Sequence, residues 1–308
     1  MNTNDFTERY LDADEVADVL PDFCRTNDIP PSFFTSAPLL NTFYNNNRLT
    51  LGIISYQNED FLFFTKRFRK EWRFLFKEPN SSLIGAIHEK YGLNYIASAF
   101  ITERDFHAGE SDTICDEEQV VLDFKTILSE HDTLYKDYAK SISRETNLVI
   151  ERYEYNTHVA GLLKFLTAWR HVRSDRQNKH ANIFNDINFL AHFGFDERIT
   201  GIVIKDAGNI VAYNLNLPND LDAIECISAF SKVLRGHENL GIILKIENAK
   251  AMLANGFERV NIGHINNDFK KRLARHGSTI KLYSRQLYKD EKLELKMPEN
   301  EWLSYTDL

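Results

Sequence analysis

Three short stretches in the last third of the chain combine residue types that can do chemistry. The first, Arg235-Gly236-His237-Glu238-Asn239-Leu240-Gly241, leads into an apolar run with helical spacing. A glycine-containing loop at a helix start aims backbone N–H groups at an anion, and the helix dipole adds to the attraction. Arg235, Gly236, Asn239 and Gly241 are thus candidates for holding a phosphorylated ligand, with an ordinary strand-to-helix turn as the plain alternative. The second stretch is Asn261-Ile262-Gly263-His264. An imidazole at His264 suits proton removal from an amine, although a lone histidine also serves as plain structure. The third is the basic cluster Lys270, Lys271, Arg272, Arg275 and Lys281. It can meet phosphates, or it can be the solvated face of a helix.

Two further stretches carry charge. Trp169 falls on the apolar stripe of a helix and reads as core, whereas Arg170 and Arg173 beside it are freer to bind. The run from Lys66 to Phe74 interleaves basic and aromatic residues. That composition suits stacking on bases with phosphate contacts, and equally an edge strand with aromatics inward. No His, Cys, Asp or Glu cluster has metal-ligand spacing, so no metal is expected. There is also no phosphate-binding P-loop and no nucleophile elbow.

These residues need a scaffold, and 308 residues are enough for one large domain or two ordinary ones. A hydrophobic fraction of 43% with 27% charged residues is ordinary globular composition. No apolar run reaches the roughly 20 residues that span a bilayer. The acidic start, Met1 to Leu20, is unlike a secretory signal. Three scattered cysteines do not make a disulfide framework, so a cytoplasmic location is expected. The net charge is −8, yet residues 161–289 hold 19 Lys and Arg against 12 Asp and Glu. That half can accept an anion such as CoA, a tRNA end or a nucleotide, or the imbalance is scatter between domain faces.

Patterning then gives the elements. Helices are expected around Asp12–Cys24 and Ser82–Lys90, and strands over Leu49–Gln57, Phe61–Phe68 and Leu93–Thr102, the first two joined by a turn at Asn58-Glu59-Asp60. The acidic stretch Glu103–Glu118 is the candidate boundary. From Asn147 onward the order reads strand, two helices, three strands, helix, strand, helix, strand. The second of those helices ends at Gly194, Ala207-Gly208 forms a hairpin turn, and Gly277 caps the last helix. A mixed sheet flanked by helices buries those faces most economically. The expected class is α/β (α+β), with domains at 1–110 and 117–290 and an acidic tail at 291–308.

That order resembles the GNAT-type acyltransferase fold. The hairpin ITGIVIKDAGNIVAYNLNL, the Arg235–Gly241 loop, the Val260-Asn261-Ile262-Gly263 strand and the Asn266-led helix ending at Gly277 carry the resemblance. The loop departs from the usual Arg/Gln-x-x-Gly-x-Gly/Ala, and Leu273 and Ala274 stand where many members have a tyrosine acid. The segment from Val260 to Tyr288 is similar to the end of the phosphatidylglycerol lysyltransferase C-terminal domain and, more distantly, to the FemAB aminoacyltransferases. The lead-in with Lys136, Lys140 and Arg144 is similar too. The resemblance implies two GNAT-like units in tandem, the first degenerate.

It also implies a transferase moving an aminoacyl group from aminoacyl-tRNA, or an acyl group from acyl-CoA, to an amine or hydroxyl acceptor, with no cofactor required. Arg235, Gly236, Asn239, Gly241 and Gly263 would bind the donor, with Asn261 and Gly263 at its carbonyl. Arg170, Arg173, Lys270, Lys271 and Arg275 would face acceptor or phosphate, and His264 and Asn261 would be catalytic. The alternatives are an acyl-CoA-dependent N-acetyltransferase and an inactive GNAT-like module that binds nucleic acid or a protein.

Overall fold

The computed structural model describes residues 6–30, 35, 50–66, 70–102, 113–145, 147–172, 187, 189–191, 194–219, 222–230, 239–265 and 268–289. The chain divides into two compact units. Among the described residues, the first holds those up to Glu118 and those from Ile280 to 289; the second is Gln119–Thr279.

In the first unit, β1 (Thr7–Tyr10) is followed by α1 (Ala13–Thr26), β2 (Thr50–Tyr56), β3 (Glu59–Lys66), β4 (Glu71–Leu75), α2 (Ser81–Tyr91) and β5 (Tyr95–Thr102). Asp12 and Glu15 form a reciprocal capping box that starts α1. β1, β2, β3 and β4 pair antiparallel in order, β5 lies parallel to β4, and β12 (Gly277–Lys289) pairs antiparallel to β5. The β2–β3 turn is Gln57-Asn58, both left-handed (φ 52° and 66°), so β3 begins at Glu59 inside the polar triplet expected to be the turn. A two-residue turn of that kind matches strand twist, which is why it wins over a longer loop. The core of this unit is aromatic: Phe61, Phe63, Trp72 and Phe74 are all buried, with Phe63 stacked on Trp72 at 4.3 Å.

The second unit repeats the order. β6 (Thr113–Asp123) leads through α3 (Phe124–Ile127) and α4 (Thr133–Ile142) to β7 (Leu148–Arg152) and α5 (Tyr155–Val172). Then come β8 (Thr200–Asp206), β9 (Asn209–Asn219), β10 (Asp222–Phe230), α6 (Leu240–Ala254), β11 (Arg259–His264) and α7 (Asp268–Leu273). β7, β8, β9 and β10 pair antiparallel in order, β11 lies parallel to β10, and β6 pairs antiparallel to β11. Strand for strand this is the pairing of the first unit. The difference is the source of the last strand: β6 comes before the other strands of the second unit in the chain, whereas β12 comes after all the other elements of both units. Thr113–Glu118, expected to belong to the boundary, is strand.

Helix α6 is apolar almost all round, as a helix buried on two sides must be. Leu240, Ile242, Ile243, Leu244, Ile246, Ala249 and Met252 join the core with Leu122, Phe124, Leu134 and Ile204. Burying each such aliphatic side chain contributes about 1.5–3 kcal/mol. No helix among the described residues is long and apolar enough to cross a membrane.

Gly277 differs from expectation. It is no left-handed helix cap: the chain leaves α7 through a 3₁₀ turn at Ala274–His276, and Gly277 is extended (φ −151°) as the first residue of β12. A β-carbon there would lie 2.3 Å from the Val121 carbonyl oxygen. Close backbone approach is thus the reason for glycine. Gly277→Ala is expected to cost about 1–3 kcal/mol in urea unfolding, as overpacking against backbone does. A loss within about 0.5 kcal/mol, the range of a neutral surface change, would show that this approach is slack.

Candidate functional site

Parallel strands β10 and β11 pair for three rungs only: Asp222 with Arg259, Ala223 with Val260 and Ile224 with Asn261. Both strands run on, to Phe230 and His264, without further pairing to each other. Each is irregular at the point of parting. β10 shifts register against β9 between Glu225 and Ile227, and β11 shifts against β6 between Asn261 and His264. Bulges bend and twist a strand away from its partner, so the two irregularities open a wedge in the sheet.

Asn261 builds the β11 side. Its side-chain oxygen accepts from the Gly263 N–H (2.8 Å), and its amide nitrogen donates to Gln119 (2.7 Å), all in buried surroundings. An asparagine that bonds the backbone two residues on makes a local turn, and Gly263 supplies the left-handed φ of 73° that the turn needs. The Asn-x-Gly spacing is therefore structural in origin. The groups expected to meet a donor carbonyl, the Asn261 amide and the Gly263 N–H, already bond each other. His264 ends the strand.

Glu225 dominates the β10 side. Its carboxylate is buried, with 5% of the side chain exposed, and is paired with Lys245 of α6, itself 4% exposed. The Asn214 amide donates to Glu225 Oε2 (2.7 Å), and Ser228, beyond the bulge, donates to Oε1 (2.8 Å). The Lys245 ammonium also approaches Ser228 Oγ at 3.4 Å. Burial alone would raise the Glu225 pKa. The charges of Lys245 and then Lys270, with the hydrogen bonds from Lys245 and Ser228, outweigh it and hold the carboxyl below its ordinary value. Asn214 Oδ1 is buried with no hydrogen-bond partner.

Lys270 faces the wedge. It sits on the half-buried side of α7, and its Nζ donates to the Ile262 carbonyl at 2.5 Å, inside the β11 irregularity. Lys271 instead turns outward, 67% exposed and 3.7 Å from Asp268, and Arg275 lies in the 3₁₀ turn. The cluster read from sequence is thus divided, with one lysine turned inward.

Helix α6 begins at the residue expected to close a phosphate loop. Asn239 is its N-cap but makes no side-chain cap bond; its carbonyl accepts from the N–H groups of Ile242 (2.9 Å) and Ile243 (3.1 Å). Gly241 lies within the first helical turn rather than in a loop. The equivalent helix of the first unit, α2, is closed by the Asn80 side chain on the Leu83 N–H at 2.9 Å. Arg235, Gly236 and Arg173 lie outside the described residues, and Arg170 lies in α5.

Glu225, Lys245, Asn214, Ser228 and Gln119 went unnoticed in the sequence. A signal for two of them was there: Lys245 interrupts the apolar run Leu240–Ile246, and Glu225 interrupts the apolar strand Ala223–Phe230. A charge in each of two buried elements calls for a partner. Lys245→Met, which strands the Glu225 carboxylate, is expected to cost about 3–5 kcal/mol in urea unfolding. The Lys245→Met/Glu225→Gln double variant should recover part of that. Because folding depresses the Glu225 pKa, its contribution is fully present above the unfolded value near 4.3 and fades as pH falls toward the folded one. The stability gap between wild type and Glu225→Gln should therefore narrow below about pH 4. A gap constant from pH 7 to pH 3 would contradict the assignment.

No family model matches the chain, and no curated protein matches it either. Solved structures do. A conserved protein of unknown function from Bacteroides thetaiotaomicron matches with a TM-score of 0.67 at 14% identity, over 92% of this chain and 100% of that one. The C-terminal DUF2156 domain of a candidate lysylphosphatidylglycerol synthetase from Agrobacterium fabrum matches at 0.60 and 14% identity, over 90% of this chain and 93% of its own. FemX matches at 0.58 and 8% identity, over 91% of this chain and 97% of that one. With the strand order, the parallel fourth and fifth strands and the wedge between them in the second unit, this likeness gives the chain the GNAT-type fold, built twice in tandem.

Proposed function

We propose that the second unit is an acyltransferase that moves an aminoacyl group from aminoacyl-tRNA, or an acyl group from acyl-CoA, to an amine or hydroxyl acceptor. The observation that carries this reading is the wedge: β10 and β11 part after Ile224 and Asn261 while both continue. A slot between parallel strands admits an extended acyl arm alongside strand backbone. At the start of the helix beyond β10 the Asn239 side chain makes no cap bond, and the positive end of that helix suits an anionic part of the donor. The likeness to a lysylphosphatidylglycerol synthetase domain supports the aminoacyl version of the donor.

The chemistry is direct transfer. The acceptor's lone pair attacks the donor carbonyl carbon, and the carbonyl oxygen becomes an oxyanion. Collapse of that adduct breaks the carbonyl's bond to the tRNA oxygen or the CoA sulfur, and the proton lost by the acceptor ends on that leaving group, releasing the tRNA hydroxyl or the CoA thiol. The enzyme's share is to align the two reactants and to stabilise the oxyanion. Lys270 is the residue for the second task, since its ammonium lies at the wedge on the Ile262 carbonyl. His264 is retained as the candidate base at the end of β11.

The first unit serves as scaffold in this reading. Its β4 and β5 pair along the whole of β4, through Leu75 and Ala99, and the Phe76 N–H extends the ladder to the Ala99 carbonyl at 2.9 Å. The rings of Phe76 and Phe100, both fully buried, lie 6.2 Å apart beyond that point. Both residues have left-handed backbone (φ 66° and 60°), a conformation that costs a bulky residue about 1–3 kcal/mol.

Calorimetry against acetyl-CoA, free CoA and a mixed aminoacyl-tRNA pool at two salt concentrations tests the donor. Binding of aminoacyl-tRNA without CoA is the expected result, with one donor per chain and affinity falling as salt rises. Binding of CoA would move the N-acetyltransferase alternative to first place, and silence from all three would favour an inactive module. With the donor that binds, Lys270→Met should slow single-turnover deacylation by about 10²-fold or more. An unchanged rate would remove Lys270 from the reaction.

A further inference from the structure

The apolar residues of α6 do little to fix how it lies on the sheet. A helix that is apolar almost all round can turn about its axis or slide along it and still bury hydrophobic surface. Two polar side chains, Lys245 and Asn248, interrupt the side that it turns to the strands, and both are buried. Lys245 is paired with Glu225 of β10. Asn248 exchanges hydrogen bonds with Asn216 of β9. The Asn216 amide donates to Asn248 Oδ1 at 2.9 Å, and the Asn248 amide donates to Asn216 Oδ1 at 3.4 Å. On the next turn, Met252 Sδ accepts from Thr200 Oγ1 of β8 at 3.4 Å.

The three strand residues stand in one row. Glu225 lies opposite Asn216 in the β9–β10 ladder, and Asn216 lies opposite Thr200 in the β8–β9 ladder. Helix α6 therefore crosses the strands and meets the next one with each turn. The spacings nearly agree, since neighbouring strands lie about 4.8 Å apart and a helical turn advances about 5.4 Å. A slip of one turn either way would part the asparagines and leave Glu225 and Lys245 buried without each other, which burial penalises heavily. Toward α4, Glu247 and Lys250 bond the Tyr138 hydroxyl. Those two side chains remain 17% and 39% exposed, so water can replace that contact and it opposes a slip less.

We propose that Asn216 and Asn248 are positioning residues: with Glu225 and Lys245 they key α6 to one place along and about its axis. They act through the helix, whose start must stand in one place to meet the donor. A buried asparagine fixes the register of packed helices in the same way, at a cost in stability. The donor's part in this rests on the reading of the second unit as a transferase; the keying of α6 does not.

Met252 reports the position of α6 directly. The chain has three methionines, and Met1 and Met297 lie outside the described residues. Methyl NMR of methionine-labelled protein should show one sharp Met252 signal in wild type, identified by its loss in Met252→Leu. Asn216→Leu/Asn248→Leu keeps the branched shape and removes both amides. Its urea midpoint should match or exceed wild type, because neither partner is left unsatisfied, whereas each single variant should fall below wild type. The Met252 signal of the double variant should split or broaden, while the methyls of Val203, on the other face of β8, stay sharp. A single sharp Met252 signal in the double variant overturns the proposal. So does a midpoint below both single variants, the mark of a pair kept for stability, and so does broadening at Val203, the mark of general loosening. If the leucine pair fails to fold, Asn216→Ala/Asn248→Ala replaces it and the Met252 signal alone decides. Calorimetry on the same variant reads the donor: a helix out of place part of the time should bind it roughly twofold or more weakly. Unchanged affinity beside a split signal overturns the positioning role. If wild type binds no donor while Met252 responds as expected, the transferase reading falls and the keying of α6 stands.

Discussion

Two parallel strands that stop pairing inside a sheet create a problem that the rest of the second unit answers. Buried backbone groups have to be bonded, and here the ladder between β10 and β11 ends at Ile224 and Asn261. On the β11 side the answer is local. The Gly263 N–H donates to Asn261 and Lys270 donates to the Ile262 carbonyl, so side chains bond both polar groups of the one peptide that follows the last rung on β11. On the β10 side the answer is a bulge stitched by Ser228 to Glu225. That stitch puts a carboxylate in the interior, which in turn requires Lys245 in the middle of an apolar helix. A buried pair of this kind contributes little net stability compared with apolar residues of the same volume. Its presence is better explained by the shape it imposes than by the energy it adds.

The two units make an internal comparison. They share strand order, the parallel fifth strand and a register shift of that strand against its antiparallel neighbour, marked by left-handed Phe100 in one and left-handed Gly263 in the other. Glycine adopts that backbone freely, and phenylalanine does so against steric resistance. In the first unit the rings of Phe76 and Phe100 fill the place, and the ladder between β4 and β5 closes up to them. Its strained bulge thus comes with a ladder that runs the length of β4, whereas the ladder between β10 and β11 ends at Ile224 and Asn261. The helix starts agree: Asn80 closes α2 with its own side chain, while Asn239 leaves α6 without such a cap.

Much of the scaffold was legible in the sequence because its signals are local. Alternation gave the strands, Ala207-Gly208 gave the β8–β9 turn, and the apolar run after Asn239 gave α6. The misses are places where local signals point the wrong way. Gln57 is a poor advertisement for a left-handed turn, yet it takes φ 52° because strand twist favours a two-residue connection. Gly277 looks like a helix cap, but its smallness answers to Val121, distant in sequence. The site was legible in part for the same reason. The Asn-x-Gly motif stands out because its bond is only two residues long. Glu225 and Lys245 find each other across a strand and a helix, and nothing near either residue names its partner.

The absence of a sharp catalytic motif from the sequence follows from the kind of chemistry proposed. An activated ester or thioester already carries its driving force, so attack by an amine needs alignment and a stabilised oxygen more than a strong nucleophile on the protein. Residues that align are spread over several elements and have no fixed spacing. Here they would be a bulge, a helix start that the Asn239 side chain does not cap and one inward lysine, drawn from β10, α6 and α7. What remains diagnostic is a topological feature: a parallel pair of strands, continuing on both sides, that ceases to pair.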